Sequence, residues 1–215
     1  MQTHSIIDNF AALPVGTWLE ILAVNADESR EEVDKQVATL ALLTGKDERD
    51  ILNLPIYEYS ELARKADFLG VAPQKYALTA RKYTLGKWVL KPTSDLRKIT
   101  AAQYIDFQTF APGGDKNLVE ILSVFLVPEG KEYNDGYDVL EVQDAIRREL
   151  SVEQAVALCA FFLMKYAALI KGTITSLSRL MKKEKDAAKR EKIAARMAEL
   201  KTAGASLTSG AGLLM

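Results

Sequence analysis

AVALCAFFLMKYAALI, residues 155–170, carries one polar side chain in sixteen positions, Lys165. Three readings compete: a membrane segment, the core helix of a soluble protein, or a face covered by a partner. The choice sets the fold. A spanning helix needs about 20 consecutive apolar residues. This run is shorter, and Lys165 and Lys171 would lie at or near hydrocarbon depth, so a span is disfavoured. A helix apolar on all sides is otherwise deeply buried or covered. Burying Phe161, Phe162, Leu163, Met164 and Leu169 together would contribute about 10 kcal/mol, at ~1.5–3 kcal/mol per large side chain. Five or six amphipathic helices of one chain would cover it. The expectation is a core helix first, with contacts between chains beyond it.

The composition agrees. Of 215 residues, 48% are hydrophobic and 27% charged, enough for a sizeable core in one large domain or two small ones. The net charge of −1 gives no overall attraction to nucleic acid or acidic lipid. Cys159, the single cysteine, has no partner for a disulfide within the chain, which fits a reducing compartment. The opening MQTHSIIDNFAALPVG lacks the basic and long apolar regions of a secretory signal, so the expectation is a soluble chain made in the cytoplasm.

Helix signals dominate. Ser29-x-x-Glu32, Thr100-x-x-Gln103 and Ser151-x-x-Gln154 each read as a capping box, in which the first side chain and the third helical residue satisfy each other's backbone amides. Helices are predicted behind each of them. Others are expected over 47–53, from Pro55 to Gly70, over 117–127 and over 139–150. Between Pro73 and Pro92, QKYALTARKYTLGKWVLKP alternates aromatic and β-branched residues with lysine, a two-stranded signal that turns near 80–82 or at Gly86. Ala111–Asp115 (APGGD) and Asn134-Asp135-Gly136 read as a loop and a turn. The fold class expected is mainly α, with one small β-hairpin and a long C-terminal helix.

That long helix is the reading of residues 182–201, KKEKDAAKREKIAARMAELK, as a continuation of the apolar run into a charged rod. It has eight basic and four acidic residues, a local +4 against −5 for the rest of the chain. Ile193, Met197 and Leu200 keep a thin apolar stripe along it. The remainder, TAGASLTSGAGLLM, reads as a flexible segment with an apolar tip. Four segments result: an N-terminal helical module over 1–72, a hairpin linker over 73–93, a second helical module over 94–181, and the charged helix and tip over 182–215. The modules echo one another. WLEI at 18–21 matches YIDF at 104–107, LALLTGK at 40–46 matches FLVPEGK at 125–131, and DILNL at 50–54 matches DVLEV at 138–142.

Catalytic chemistry finds little support. His4 is the only histidine and sits at a terminus, so a Ser-His or Cys-His pair would need it to fold onto the core. Cys159 lies in an apolar helix, where burial raises a thiol's pKa, and reads as a small hydrophobe. Zinc requires clustered Cys and His. If Gly136 took the sixth position of a calcium loop, Lys131 and Val142 would fall where carboxylates are required. Gly45-Lys46 is followed by Asp47 rather than Ser or Thr, so it is not a phosphate loop. Glu141 and Asp144, three apart on one helix face, read as a solvated surface. The basic helix interleaves acids and lacks aromatics, which argues against a nucleic-acid face. No catalytic, metal or cofactor-binding residues are expected, and no cofactor.

Two runs carry a resemblance: LRKITAAQYIDF at 96–107 and LSVFLVPEGKEYNDGYDV at 122–139, with the preceding hairpin and its Tyr76 and Tyr83 in lysine-rich strands. Over residues 15–170 or so, the sequence resembles virion proteins of tailed bacteriophages, with its closest likeness to crAss-like and other gut phages. The resemblance implies a non-enzymatic particle component or assembly factor, and carries over no site residues. The first expectation is a structural protein of the portal–neck–tail region, a head–tail connector of adaptor or ring type. Located in the virion, it would associate as a homo-oligomer and with other phage structural proteins. An assembly chaperone with an open groove lined by Phe125, Phe161 and Phe162 is one alternative. An ejected cargo protein acting at the host membrane through residues 155–181 and the basic helix is the other. The interaction surface expected comprises Phe125, Phe161, Phe162, Ile193, Met197, Leu200, Tyr76, Tyr83 and Trp88.

Overall fold

A computed structural model describes residues 5–74 and 80–209. The chain is mainly α. The first half holds α1 (Val15–Ala26), α2 (Glu32–Thr44), α3 (Glu48–Leu52), α4 (Ile56–Ala66), β1 (Tyr83–Leu85) and β2 (Trp88–Pro92). There follow α5 (Ala101–Phe110), α6 (Leu118–Phe125), β3 (Leu126–Pro128), α7 (Val139–Glu149), α8 (Val152–Lys183) and α9 (Ala187–Ser209).

The N-terminal half of the opening stretch is the centre of the core. Val152, Ala155, Val156, Leu158, Cys159 and Phe162 of α8 are buried against Leu118, Leu122 and Phe125 of α6 and Val142 and Ile146 of α7. From α1, Trp18 and Ile21 reach the same core, as do Tyr83, Leu85 and Leu90 of the hairpin. One core therefore draws on residues from 10 to 162, across the first three of the four segments that the sequence divides. A satellite cluster of Val37, Leu40, Ala41, Ile51 and Leu62 stays within α2–α4.

Two close approaches fix this arrangement. Residues 13–15 run antiparallel to residues 150–152: the Val15 amide donates to the Leu150 carbonyl and the Val152 amide to the Leu13 carbonyl, both at 2.9 Å, about an isolated bridge between Pro14 and Ser151. One turn on, Gly16 lets α1 cross α7. A Cβ there would stand 2.5 Å from Arg147 Cγ and 2.7 Å from its carbonyl oxygen.

Local chemistry explains several helix ends. Thr100–Gln103 and Ser151–Gln154 form both bonds of a capping box. Buried Gln103 uses its remaining amide to donate to the Val124 carbonyl at 2.8 Å, tying α5 to the end of α6. Gly45 closes α2 in the left-handed conformation, φ 65°. The third box is a correction. Both the amide and the hydroxyl of Ser29 donate to Asp27 Oδ1, at 3.0 and 2.6 Å, so α2 begins at Glu32 without a side-chain cap. The Asp27 carboxylate competes for the serine and wins.

The sheet has a strand that the sequence reading places in a helix. β2 lies between β1 and β3, antiparallel to both, with Tyr83 opposite Leu90 and Leu90 opposite Pro128. Instead of continuing to 127, α6 stops at Phe125, because residues 126–128 satisfy the free edge of β2 and bury Leu126 and Pro128. Proline cannot donate to a ladder and suits this edge position. The hairpin turns at Gly86, φ 53°, whose amide donates to Glu149 of α7 at 2.6 Å. Across the sheet, the Glu129 carboxylate bonds Lys82 and Lys91, which hold its pKa below the ordinary glutamate range. The echo between the modules also breaks here: residues 40–46 are helix closed by Gly45, whereas 126–128 are strand.

The C-terminal rod is likewise corrected. Helix α8 ends at Lys183, and α9 turns back to pack against it. The acids of KKEKD cause the break. Glu184 Oε1 accepts from the amides of Lys185 and Asp186, and Asp186 Oδ1 from those of Ala188 and Lys189, capping a new helix instead of extending the old one. Backbone helix then persists to Ser209, through part of the segment expected to be flexible.

Candidate interaction surface

The aromatic residues predicted to line a groove fill it instead. Phe125 and Phe162 are buried, with ring centroids 4.7 Å apart, and Phe107 of α5 lies 5.2 Å from Phe125. Phe161 meets Phe162 edge-on at 5.3 Å, and Tyr166 closes on Phe107 at 5.9 Å. Offset and edge-on aromatic contacts of this kind belong to cores. Phe125 and Phe162 are therefore corrected from surface to core; Phe161 is half-buried, with Lys165 Nζ 5.3 Å from its ring centroid.

The hairpin residues divide. Tyr83 is buried on the inner face of the sheet, a second correction, since burial there completes the core against α7. Trp88 is half-buried, edge-on to Tyr137 at 6.2 Å, with Lys87 Nζ 5.0 Å from its ring centroid. Tyr76 lies outside the described residues. Ile193, Met197 and Leu200 are half-buried while their neighbours on α9 are exposed, so the stripe faces α8. Ser178 Oγ of α8 sits 3.8 Å from Met197 Sδ.

What the fold leaves open lies elsewhere. Beyond Phe162 the core thins, and the distal half of α8 pairs with α9 as a helical arm. Its outer face exposes Met164 and Leu180, with Lys165, Lys171 and Arg179. At the tip, Lys182, Lys183, Lys185, Lys189 and Lys192 are exposed. The second open surface is the corner between α3 and α4, where Leu52, Ile56 and Tyr57 are 65%, 78% and 61% exposed. Sequence pattern misses this corner because Leu52 and Ile56 sit at positions that suit a helix core. The satellite cluster is too small to cover them.

Burial pushes the Cys159 thiol up to about 12, and the Asp115 carboxylate nearby adds to the rise. The Tyr133 hydroxyl donates to Asp106 at 2.8 Å; burial first, then that carboxylate, raises its pKa and keeps it a donor that ties the 129–138 loop to α5. Among the described residues, no three His, Cys, Asp or Glu side chains converge as a metal site would require. An open groove of about 710 Å³ runs between residues 94–97 and α8, past Lys165, Thr173 and Ser176. Its arginine, Arg97, is held by Asp95 through two bonds of 2.8 and 2.9 Å, which lower the Asp95 pKa to about 2. No protein-family model, curated protein or solved structure gives a significant match to the chain.

Proposed function

We propose that this protein is a non-enzymatic structural component of a tailed phage particle, working by protein–protein assembly in the portal–neck–tail region. It would be made in the host cytoplasm and retained in the virion. The arm of distal α8 and α9 carries this reading. It stands beyond the core and presents exposed apolar residues and cations that the fold itself does not use. The placement in a phage particle rests on the resemblance of residues 96–107 and 122–139. Light scattering of the full chain and of a chain ending at residue 183 tests the assembly role, and mass spectrometry of purified particles tests the location. The expected results are a large oligomer that collapses on truncation, and the chain among the particle proteins. Absence from purified particles, with a monomer both ways, would overturn the reading.

A second reading, cargo acting at the host membrane, has one observation in its favour: α8 is long and apolar enough to cross a bilayer. Its proximal half, however, is held in the core. Flotation of the chain with lipid vesicles, accompanied by loss of the native near-UV signal, would favour this alternative. The chaperone reading loses its groove to the Phe125–Phe162 contact.

A further inference from the structure

We infer that the tip of the α8–α9 arm docks on the α3–α4 corner of a second copy of this chain. The inference builds on the assembly role proposed above and names its contact.

The tip is cationic in a particular way. Residues 182–192 hold six basic and three acidic side chains, a net +3. Two of those acids, Glu184 and Asp186, are turned inward to cap α9. Lys182, Lys183, Lys185, Lys189 and Lys192 stand exposed, and none joins an ion pair within the chain among the described residues. Leu180, 56% exposed, adjoins them one turn back.

The corner is the counterpart. Residues 47–61 contain five acids against Arg49 alone, a net −4. Glu48 is drawn to Arg30 at 3.2 Å and Glu61 to Lys65 at 3.3 Å, while Asp47 and Asp50 remain exposed. Leu52, Ile56 and Tyr57 stand among them in water. Each surface thus pairs an apolar contact with charge of one sign, and the signs are opposite. An acidic membrane or a nucleic acid would take the tip but repel the corner, leaving its three apolar side chains uncovered. A second copy satisfies both. Because the two patches differ, the contact is head-to-tail, and it closes as a reciprocal pair or a ring or extends as a row.

The test uses two charge-reversed full-length chains, Lys185→Glu/Lys189→Glu/Lys192→Glu at the tip and Asp47→Lys/Glu48→Lys/Asp50→Lys at the corner, which takes residues 47–61 from −4 to +2, with light scattering at low and high salt. The wild type is expected to associate, less so in salt as screening weakens the charges. Each variant alone should dissociate at least ~10-fold more readily, since like charges then face each other. An equimolar mixture should re-associate, because the reversed tip of one now matches the reversed corner of the other. Ile56→Ser, which changes no charge, should weaken the wild-type oligomer in the same assay. A wild type that is monomeric at every concentration overturns the inference and leaves the particle location to be judged by mass spectrometry. A wild-type oligomer indifferent to the reversals, or variants that fail to recover on mixing while circular dichroism shows them folded, overturns the contact but not the assembly role.

Discussion

Gly16 is where a single atom decides whether two helices meet. Alanine at this position would place its Cβ inside contact distance of the Arg147 backbone, which cannot move without disturbing the turn into α8. Gly16→Ala is expected to destabilise the chain by ~1–3 kcal/mol, the usual cost of overpacking, as read from its urea midpoint. An unchanged midpoint would mean that the α1–α7 crossing yields. Nothing in VGTWLEIL marks this glycine, since a glycine inside a helical pattern signals only lower propensity. Cys159 was more legible: an apolar run fixes its burial whatever covers the run. Phe125 and Phe162 were legible as apolar but not as neighbours. Phe125 also meets Phe107 of α5, and no pattern within one helix reveals which other helix will close over it.

The elements follow the sequence wherever a short-range bond is uncontested. Thr100 and Ser151 cap as their spacing predicts, while Ser29 has the same spacing and does not, because Asp27 two residues earlier takes its hydroxyl. The two serines should therefore differ on replacement. Ser151→Ala should cost about 1 kcal/mol, the typical value of a lost cap, whereas Ser29→Ala should stay within about 0.5 kcal/mol, as an ordinary surface change does. Paired thermal melts check this, and equal losses would mean that Ser29 contributes to the start of α2 after all. β3 was not legible, since VFLVP reads as the end of a helix until the open edge of β2 is beside it. The break between α8 and α9 was partly so. KKEKD contains the caps, but continuous helical propensity on both sides conceals them.

The whole molecule has one main core, and its N-terminal segment leans on residues far along the chain. Trp18, Ile21 and Leu13 belong to a core most of whose buried members lie from Tyr83 onward, and the segment's own cluster holds five buried residues. A fragment of residues 1–72 is accordingly expected to lack a cooperative thermal transition by circular dichroism, because so small a core cannot offset chain entropy. A sharp transition would establish it as an independent domain. The mainly α class was readable from periodicity and caps. The merging of the segments was not, because it depends on which apolar faces meet rather than on how many there are. The clasp of residues 13–15 on 150–152 has a consequence for synthesis. On the ribosome, the first helices emerge long before the strand-like partner that pins them exists, and contacts of such long separation form slowly. Until Val152 clears the exit tunnel, the Leu13 carbonyl lacks its native partner in the nascent chain, so this clasp closes late in synthesis.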